Sequence, residues 1–101
     1  MDDKALRGLL GLCARAGQAV FGEEGCKKAL AEGVCGVLLL DGGVSENTRK
    51  RYETLCERTG TPLIETTEDL ISQATGRNAM AMALRKGTLC DRVLDRNEPN
   101  R

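Results

Sequence analysis

The chain has 101 residues, which is enough for one domain and leaves no room for a second. Hydrophobic residues make up 41% of it and charged residues 30%, an ordinary globular balance that excludes a generally disordered chain. Because 15 Lys and Arg balance 15 Asp and Glu, any nucleic-acid partner must be bound by a local basic patch and not by overall charge.

Predicted helices and strands alternate along the chain. Leu6, Leu9, Leu10 and Cys13 stand at i, i+3, i+4 and i+7, which is one apolar stripe of a helix. Residues 36–40 form a continuous apolar run between turn residues, which is typical of a buried strand. In chain order, we predict a helix over 4–16, a strand over 19–21, a helix from Glu23 that Gly33 closes, a strand over 36–40, a helix between Ser45 and Gly60, a strand over 62–65, a helix over 68–75, a strand over 79–84 and a last helix through 89–94.

This alternation predicts an α/β fold in which helices cover both faces of one sheet. Local signals set the boundaries of its elements. Residues 41–43 are predicted to form the turn after the second strand, and Ser45 is a good N-cap for the third helix. Thr66 and Thr67 are candidate caps for the fourth helix.

Two further features bear on location and organisation. The longest apolar run, residues 37–40, is far shorter than the ~20 residues of a membrane helix, so no membrane partner is expected. The acidic opening at residues 2–3 has no apolar stretch behind it, which argues against a signal peptide and favours the cytoplasm. We expect a single domain over residues 1–95 and a frayed polar tail over 96–101.

Five cysteines are present, an odd number without any C-x-x-C pair, and the chain has no His. A disulfide framework or a zinc site would need a different pattern, so no metal is expected. Most of these cysteines fall on apolar stripes, where a free thiol behaves as a small hydrophobic group. The cysteines are Cys13, Cys26, Cys35, Cys56 and Cys90.

No set of catalytic residues is recognisable. Without His, neither a cysteine nor a serine has its usual general base. The adjacent acids at 23–24 and 68–69 each open a predicted helix, where they complement the helix dipole. We therefore expect neither an enzyme nor a cofactor.

The junction over residues 21–30 carries the strongest binding signal. A glycine turn at Gly22 leads into the second helix, Gly25 would leave the helix surface bare, and Lys27 and Lys28 follow one turn later. Exposed amides at a helix start can approach a nucleic-acid backbone closely. The alternative is an amphipathic helix whose lysines are simply solvated.

Several sequence blocks, weak singly but specific together, cover nearly the whole chain. They are LLGLCARAG at 9–17, GEE at 22–24 leading to KAL at 28–30, VLLLD at 37–41, SENT at 45–48 with the basic helix after it, and GTPL at 60–63. In these blocks the chain resembles the ribosomal-protein seven-A-e and thirty-e superfamily of small kink-turn RNA-binding proteins, and most closely its bacterial YlxQ-type branch.

The resemblance implies a three-layer α/β/α sandwich with a mixed four-stranded sheet. It also implies an RNA site in which the glycine turn and the start of the second helix enter RNA at tandem sheared G·A pairs. A lysine one to two turns on holds the RNA backbone, and the loop before the last strand closes the other side. Carried over by position, the site residues are Gly22, Glu23, Glu24, Lys27, Lys28, Arg77 and Asn78, with Arg15 and Gln18 flanking them.

Glu24 departs from the family pattern, which has Asn two residues after the glycine. An Asn amide both donates and accepts hydrogen bonds, whereas an ionised Glu only accepts, and the major-groove edge of guanine offers acceptors alone. Two hypotheses follow. The first is a non-catalytic RNA-binding protein similar to ribosomal proteins, whose partner is structured RNA, with ribosomal RNA among the candidates. The second is a protein-interaction module that keeps the fold without RNA binding.

Overall fold

The computed structural model describes residues 3–97, in which helices and strands alternate in the predicted order. The elements are α1 Asp3–Arg15, β1 Ala19–Phe21, α2 Glu23–Ala31, β2 Cys35–Asp41, α3 Glu46–Thr59, β3 Leu63–Thr66, α4 Leu70–Thr75, β4 Ala81–Arg85 and α5 Thr88–Asn97. Among these helices, none combines the length and the apolar character needed to cross a membrane.

The strands form one mixed sheet in the order β1-β4-β2-β3. Strand β4 is antiparallel to both β1 and β2, whereas β2 and β3 are parallel and are connected through α3. Leu39 of β2 lies opposite Met82 on one side and Ile64 on the other. The last strand in the chain therefore occupies the centre of the sheet, between the first two.

Side chains of β2 alternate between two apolar cores, one on each face of the sheet. Val37 and Leu39 pack with residues of α1, α4 and α5, and Leu38 and Leu40 pack with residues of α2 and α3. A strand buried on both faces needs a continuous apolar sequence, which explains the run at 37–40. The three-layer α/β/α sandwich with a mixed four-stranded sheet is thereby confirmed.

Several predicted boundaries were displaced, three of them for a clear physical reason. Strand β2 continues through Asp41, which was predicted to be in a turn, because its carboxylate finds hydrogen-bond partners in the interior. Helix α4 begins only at Leu70, because Thr66 belongs to β3 and Asp69 adopts a left-handed φ of 69°. Strand β4 starts at Ala81 instead of 79, because the preceding residues turn tightly, with the Ala79 N–H donating to the Arg77 carbonyl at 2.9 Å.

At the C-terminal end, helix α5 includes residues 96 and 97, and the rest of the predicted tail lies outside the described residues. The cysteines are all free and buried, which confirms their prediction as core residues. Burial raises the pKa of the Cys26 thiol to about 12 and the pKa values of Cys35 and Cys56 to about 11. These thiols are neutral at physiological pH and are weak nucleophiles.

Candidate nucleic-acid interface

A cleft of about 530 Å³ opens at the edge of the sheet where β1 and β2 end and β4 begins. Its walls come from the β1–α2 junction, from the loop and first turns that lead into α3, and from the α4–β4 loop. The lining residues are Phe21, Gly22, Glu23, Gly43, Val44, Ser45, Thr48, Tyr52, Arg77, Asn78, Ala79, Met80 and Ala81.

Gly22 turns the chain from the sheet into α2. Its φ of 85° and ψ of 164° lie in a region that essentially only glycine occupies. The Gly22 N–H donates to the Ala81 carbonyl at 3.3 Å, and its own carbonyl accepts from the Cys26 N–H at 3.0 Å. One residue thus ends the pairing of β1 with β4 and begins the hydrogen bonds of α2.

Gly25 has a packing role that the sequence did not indicate. A Cβ atom at this position would lie 2.6 Å from Cγ1 of Val20, a distance that real Cβ atoms do not show. The missing side chain therefore allows α2 to pack closely on β1. The prediction that Gly25 leaves a bare outer surface was wrong, because that side of the helix faces Val20.

A buried carboxylate holds the cleft walls in place. Asp41 is 1% exposed, and its Oδ1 accepts a hydrogen bond from the Gly43 N–H at 2.7 Å. Its Oδ2 accepts from the Asp69 N–H at 2.9 Å, and its own N–H donates to the Met80 carbonyl at 2.8 Å. Asp41 thus connects the loop before α3, the turn before α4 and the start of β4.

The first turns of α3 form the next wall. The Ser45 Oγ accepts from the Thr48 N–H at 3.2 Å and donates to the Thr48 Oγ1 at 3.0 Å, which confirms the predicted N-cap. Tyr52 lies one turn further along, and burial raises its pKa to about 12. Its phenol therefore stays protonated at neutral pH.

Arg77 and Asn78 form the opposite wall. The Arg77 guanidinium lies over the Phe21 ring, 4.8 Å from the ring centre, at a distance suited to a cation–π contact. The main-chain N–H of Arg77 donates to the Thr75 Oγ1 at 3.2 Å, which ties the loop to the last residue of α4. Among residues 3–97, no carboxylate forms an ion pair with Arg77.

Glu23 is the charged residue of the helix wall, and both its carboxylate oxygens have partners. Lys27 Nζ lies 3.3 Å from Oε2, and Arg51 Nη2 lies 3.0 Å from Oε1. Since Glu23 and Arg51 are each nearly half exposed, these are surface ion pairs with little effect on stability.

The predicted site residues separate into groups. Gly22, Glu23, Arg77 and Asn78 line the cleft together. Lys27 reaches its rim by pairing with Glu23, whereas Glu24 is exposed and is not part of the lining. Lys28 lines a different, smaller groove between α2 and the sheet, of about 240 Å³, which also contains Arg85.

Sequence reasoning missed the contribution of α3 and of the residue before β4. Tyr52 of α3 and Met80, which the predicted last strand included, both line the cleft. Met80 is 46% exposed, which makes it one of the large hydrophobic residues at the surface. The sequence around Met80 does not indicate that its side chain is exposed, because that exposure depends on β4 beginning only at Ala81.

Comparisons with known proteins concern the fold. A search against family models and a search of curated proteins each found no match. A solved protein of unknown function from Bacillus halodurans superposes with a TM-score of 0.83 and 23% identity, covering 89% of this chain and 93% of that one. The 15.5kD RNA binding protein of Giardia lamblia superposes with a TM-score of 0.75 and 12% identity, covering 95% of this chain and 84% of that one. At these identities, the likeness establishes a shared fold.

Proposed function

We propose that the chain is a non-catalytic RNA-binding protein, similar to ribosomal proteins, that contacts structured RNA of the kink-turn type through the start of α2 and the α4–β4 loop. One observation carries the proposal. Gly22 and Glu23 meet Arg77 and Asn78 in a single cleft, although the two segments are far apart in the sequence. They are the segments that the family resemblance assigns to RNA.

The chemistry of the cleft suits RNA. Arg77 presents a guanidinium without a carboxylate partner among the described residues, and guanidinium matches the geometry of phosphate. The exposed Met80 supplies apolar surface against which a base can pack. The shared fold with a Giardia protein described as RNA binding supports the same function.

The polar groups of the cleft support binding over catalysis. The Ser45 hydroxyl is used in capping α3, Glu23 is engaged by two cations, and the raised pKa of Tyr52 keeps its phenol protonated. We further propose a cytoplasmic location, because buried free thiols such as Cys26 are typical of reducing compartments. Ribosomal RNA remains among the candidate partners.

The test is titration of the full chain against a kink-turn RNA with tandem G·A pairs, at several salt concentrations. We expect Arg77→Ala and Lys28→Ala each to weaken binding and to reduce the slope of log K against log salt by about 1. Arg58→Ala is the matched control, because Arg58 is exposed at the far end of α3. Native affinity in Arg77→Ala would rule out the proposed cleft, and native affinity in Lys28→Ala would exclude the neighbouring groove that Lys28 lines.

A second candidate function is a protein-interaction module. The acidic pair at 23–24 and the exposed Met80 favour it, since carboxylates repel phosphates and apolar surface suits a protein partner. Crosslinking in cells followed by sequencing of the bound RNA separates the two. A defined structured RNA supports the first function, and recovery at background level supports the second.

A further inference from the structure

The rim of the cleft carries an ion cluster that joins α2 to α3. Arg51 stands on α3 directly before Tyr52, which lines the cleft. Its guanidinium lies 3.0 Å from Glu23 Oε1, while Lys27 Nζ lies 3.3 Å from Glu23 Oε2. Glu23 itself lines the cleft, so its carboxylate holds both cations beside the opening.

Within this cluster the cations outnumber the acid, although the net charge of the chain is zero. Arg51 and Lys27 together outweigh Glu23 by one positive charge. Arg77, on the opposite wall, adds another, because no carboxylate among residues 3–97 forms an ion pair with it. The α2–α3 cluster and the α4–β4 loop therefore both bring cations to the cleft, which favours contact with a phosphate backbone.

The pairing of Arg51 with Glu23 can be exchanged at low cost. Their side chains are 44% and 46% exposed, and ion pairs at such exposure contribute little to folding. A phosphate is tetrahedral, but like a carboxylate it offers the guanidinium two negatively charged oxygens that accept N–H bonds. Replacement of the carboxylate by phosphate would therefore leave α2 and α3 packed as they are.

We propose that Arg51 is a further RNA-binding residue, which Glu23 holds at the cleft until an RNA phosphate replaces the carboxylate. The inference rests on the proposed RNA-binding function. It makes the Glu23 carboxylate a competitor of the RNA for Arg51, and it brings α3 into the interface alongside α2 and the α4–β4 loop.

The test measures binding of the same kink-turn RNA as a function of salt for two pairs of variants. Arg51→Gln should weaken binding about three- to tenfold and reduce the salt slope by about 1. Lys50→Gln is its control, because it removes one positive charge from the neighbouring exposed position of α3. We expect the RNA affinity of Lys50→Gln to stay within about twofold of the native affinity, because Lys50 lies about 100° from Arg51 around the helix.

The acid is tested in the same way. Glu23→Gln should tighten binding about three- to tenfold, because Arg51 no longer exchanges one anion for another. Glu57→Gln is the control, since it removes the same charge from an exposed position near the far end of α3, about 9 Å along the helix from Arg51. In a protein that already carries Arg51→Gln, the increase in RNA affinity caused by Glu23→Gln should be smaller.

Each outcome decides the matter. If Arg51→Gln behaves like Lys50→Gln while the native protein binds RNA, the inference is wrong and the proposed function stands. An equal gain from Glu23→Gln with and without Arg51 also overturns it. If the native protein binds no RNA at any salt concentration, the proposed function and this inference fail together. Thermal unfolding of every variant checks that the fold is intact.

Discussion

The Oδ2 atom of Asp41 accepts a hydrogen bond of 2.9 Å from the main-chain N–H of Asp69, 28 residues away. Asp69 has a φ of 69°, a left-handed conformation that few non-glycine residues adopt and that Asp tolerates. The bond ties the end of β2 to the start of α4, the helix that leads to Arg77. A single buried acid thus determines where one wall of the cleft lies relative to another.

Replacing Asp41 by Asn should destabilise the protein by about 1–3 kcal/mol. The amide keeps one acceptor oxygen, so its NH₂ group would face the N–H of either Gly43 or Asp69, where the carboxylate now accepts. Urea unfolding measures the difference. Asp95→Asn, on the exposed side of α5, is the control and should change stability by no more than about 0.5 kcal/mol. Equal effects of the two substitutions would contradict this account of Asp41.

Gly22→Ala should also destabilise the protein, by about 1–3 kcal/mol, through backbone strain. Nothing lies within 4 Å of a Cβ at this position, so any loss of stability comes from the φ of 85° and not from a clash. Gly8→Ala is the matched control. Gly8 lies on the exposed side of α1, also without neighbours within 4 Å, and Ala there should stabilise the helix by about 0.5–1 kcal/mol. Thermal unfolding that ranks the two variants in the opposite order would disprove the strain argument.

The buried thiols predict how stability depends on pH. Burial raises the pKa of Cys26 from 9.0 to about 12, and the pKa values of Cys35 and Cys56 to about 11. Above pH 9.0 the unfolded chain loses these protons while the native chain keeps them. The native state then binds more protons, so the free energy of unfolding falls as the pH rises. Stability should be level up to about pH 8 and should decline from about pH 9 toward 11 or 12.

Urea unfolding at about pH 8 and about pH 10 tests this dependence. Cys56→Ala should lower stability at both values but should decline less between them, because one titrating thiol is gone. The reagent iodoacetamide provides a second measurement, since it alkylates thiolates and should react with the native protein only as the chain unfolds. A flat pH profile, or rapid alkylation of the folded chain at neutral pH, would show that the thiols are accessible.

Glu24→Asn should tighten binding of a kink-turn RNA about tenfold to a hundredfold. The amide supplies the donors that a carboxylate lacks, and the substitution removes one negative charge next to Glu23, which lines the cleft. Glu24→Gln should increase the RNA affinity less than Glu24→Asn, because the longer Gln side chain carries its amide further from the backbone than Asn does. Titrations at one fixed salt concentration compare both variants with the native protein. Tight binding by the native protein, without any gain from Asn, would show that Glu24 is no obstacle.

Features that depend on neighbours within a few residues could be predicted from the sequence. The Ser45 cap needs only Thr48, three residues on, and the stripe from Leu6 to Cys13 follows from helical periodicity. The apolar run at 37–40 indicated a strand buried on both faces. The family resemblance implied that Gly22 and Arg77 belong to one site, and both line the cleft, although no local pattern links residues so far apart.

The strand order and the contacts between layers were decided by the tertiary structure, because they depend on segments that are distant in the sequence. The sequence by itself determined the order of helices and strands and the apolar faces that form two cores, because periodicity, caps and turns act locally. It did not determine that β4 lies between β1 and β2, that Gly25 makes room for Val20, or that Glu23 pairs with Arg51 on another helix. A buried Asp41 is stable only where two N–H groups from separate turns converge on it. Such convergence arises when the layers pack, because the partners of a buried polar group are supplied by the fold and not by its neighbours in the chain.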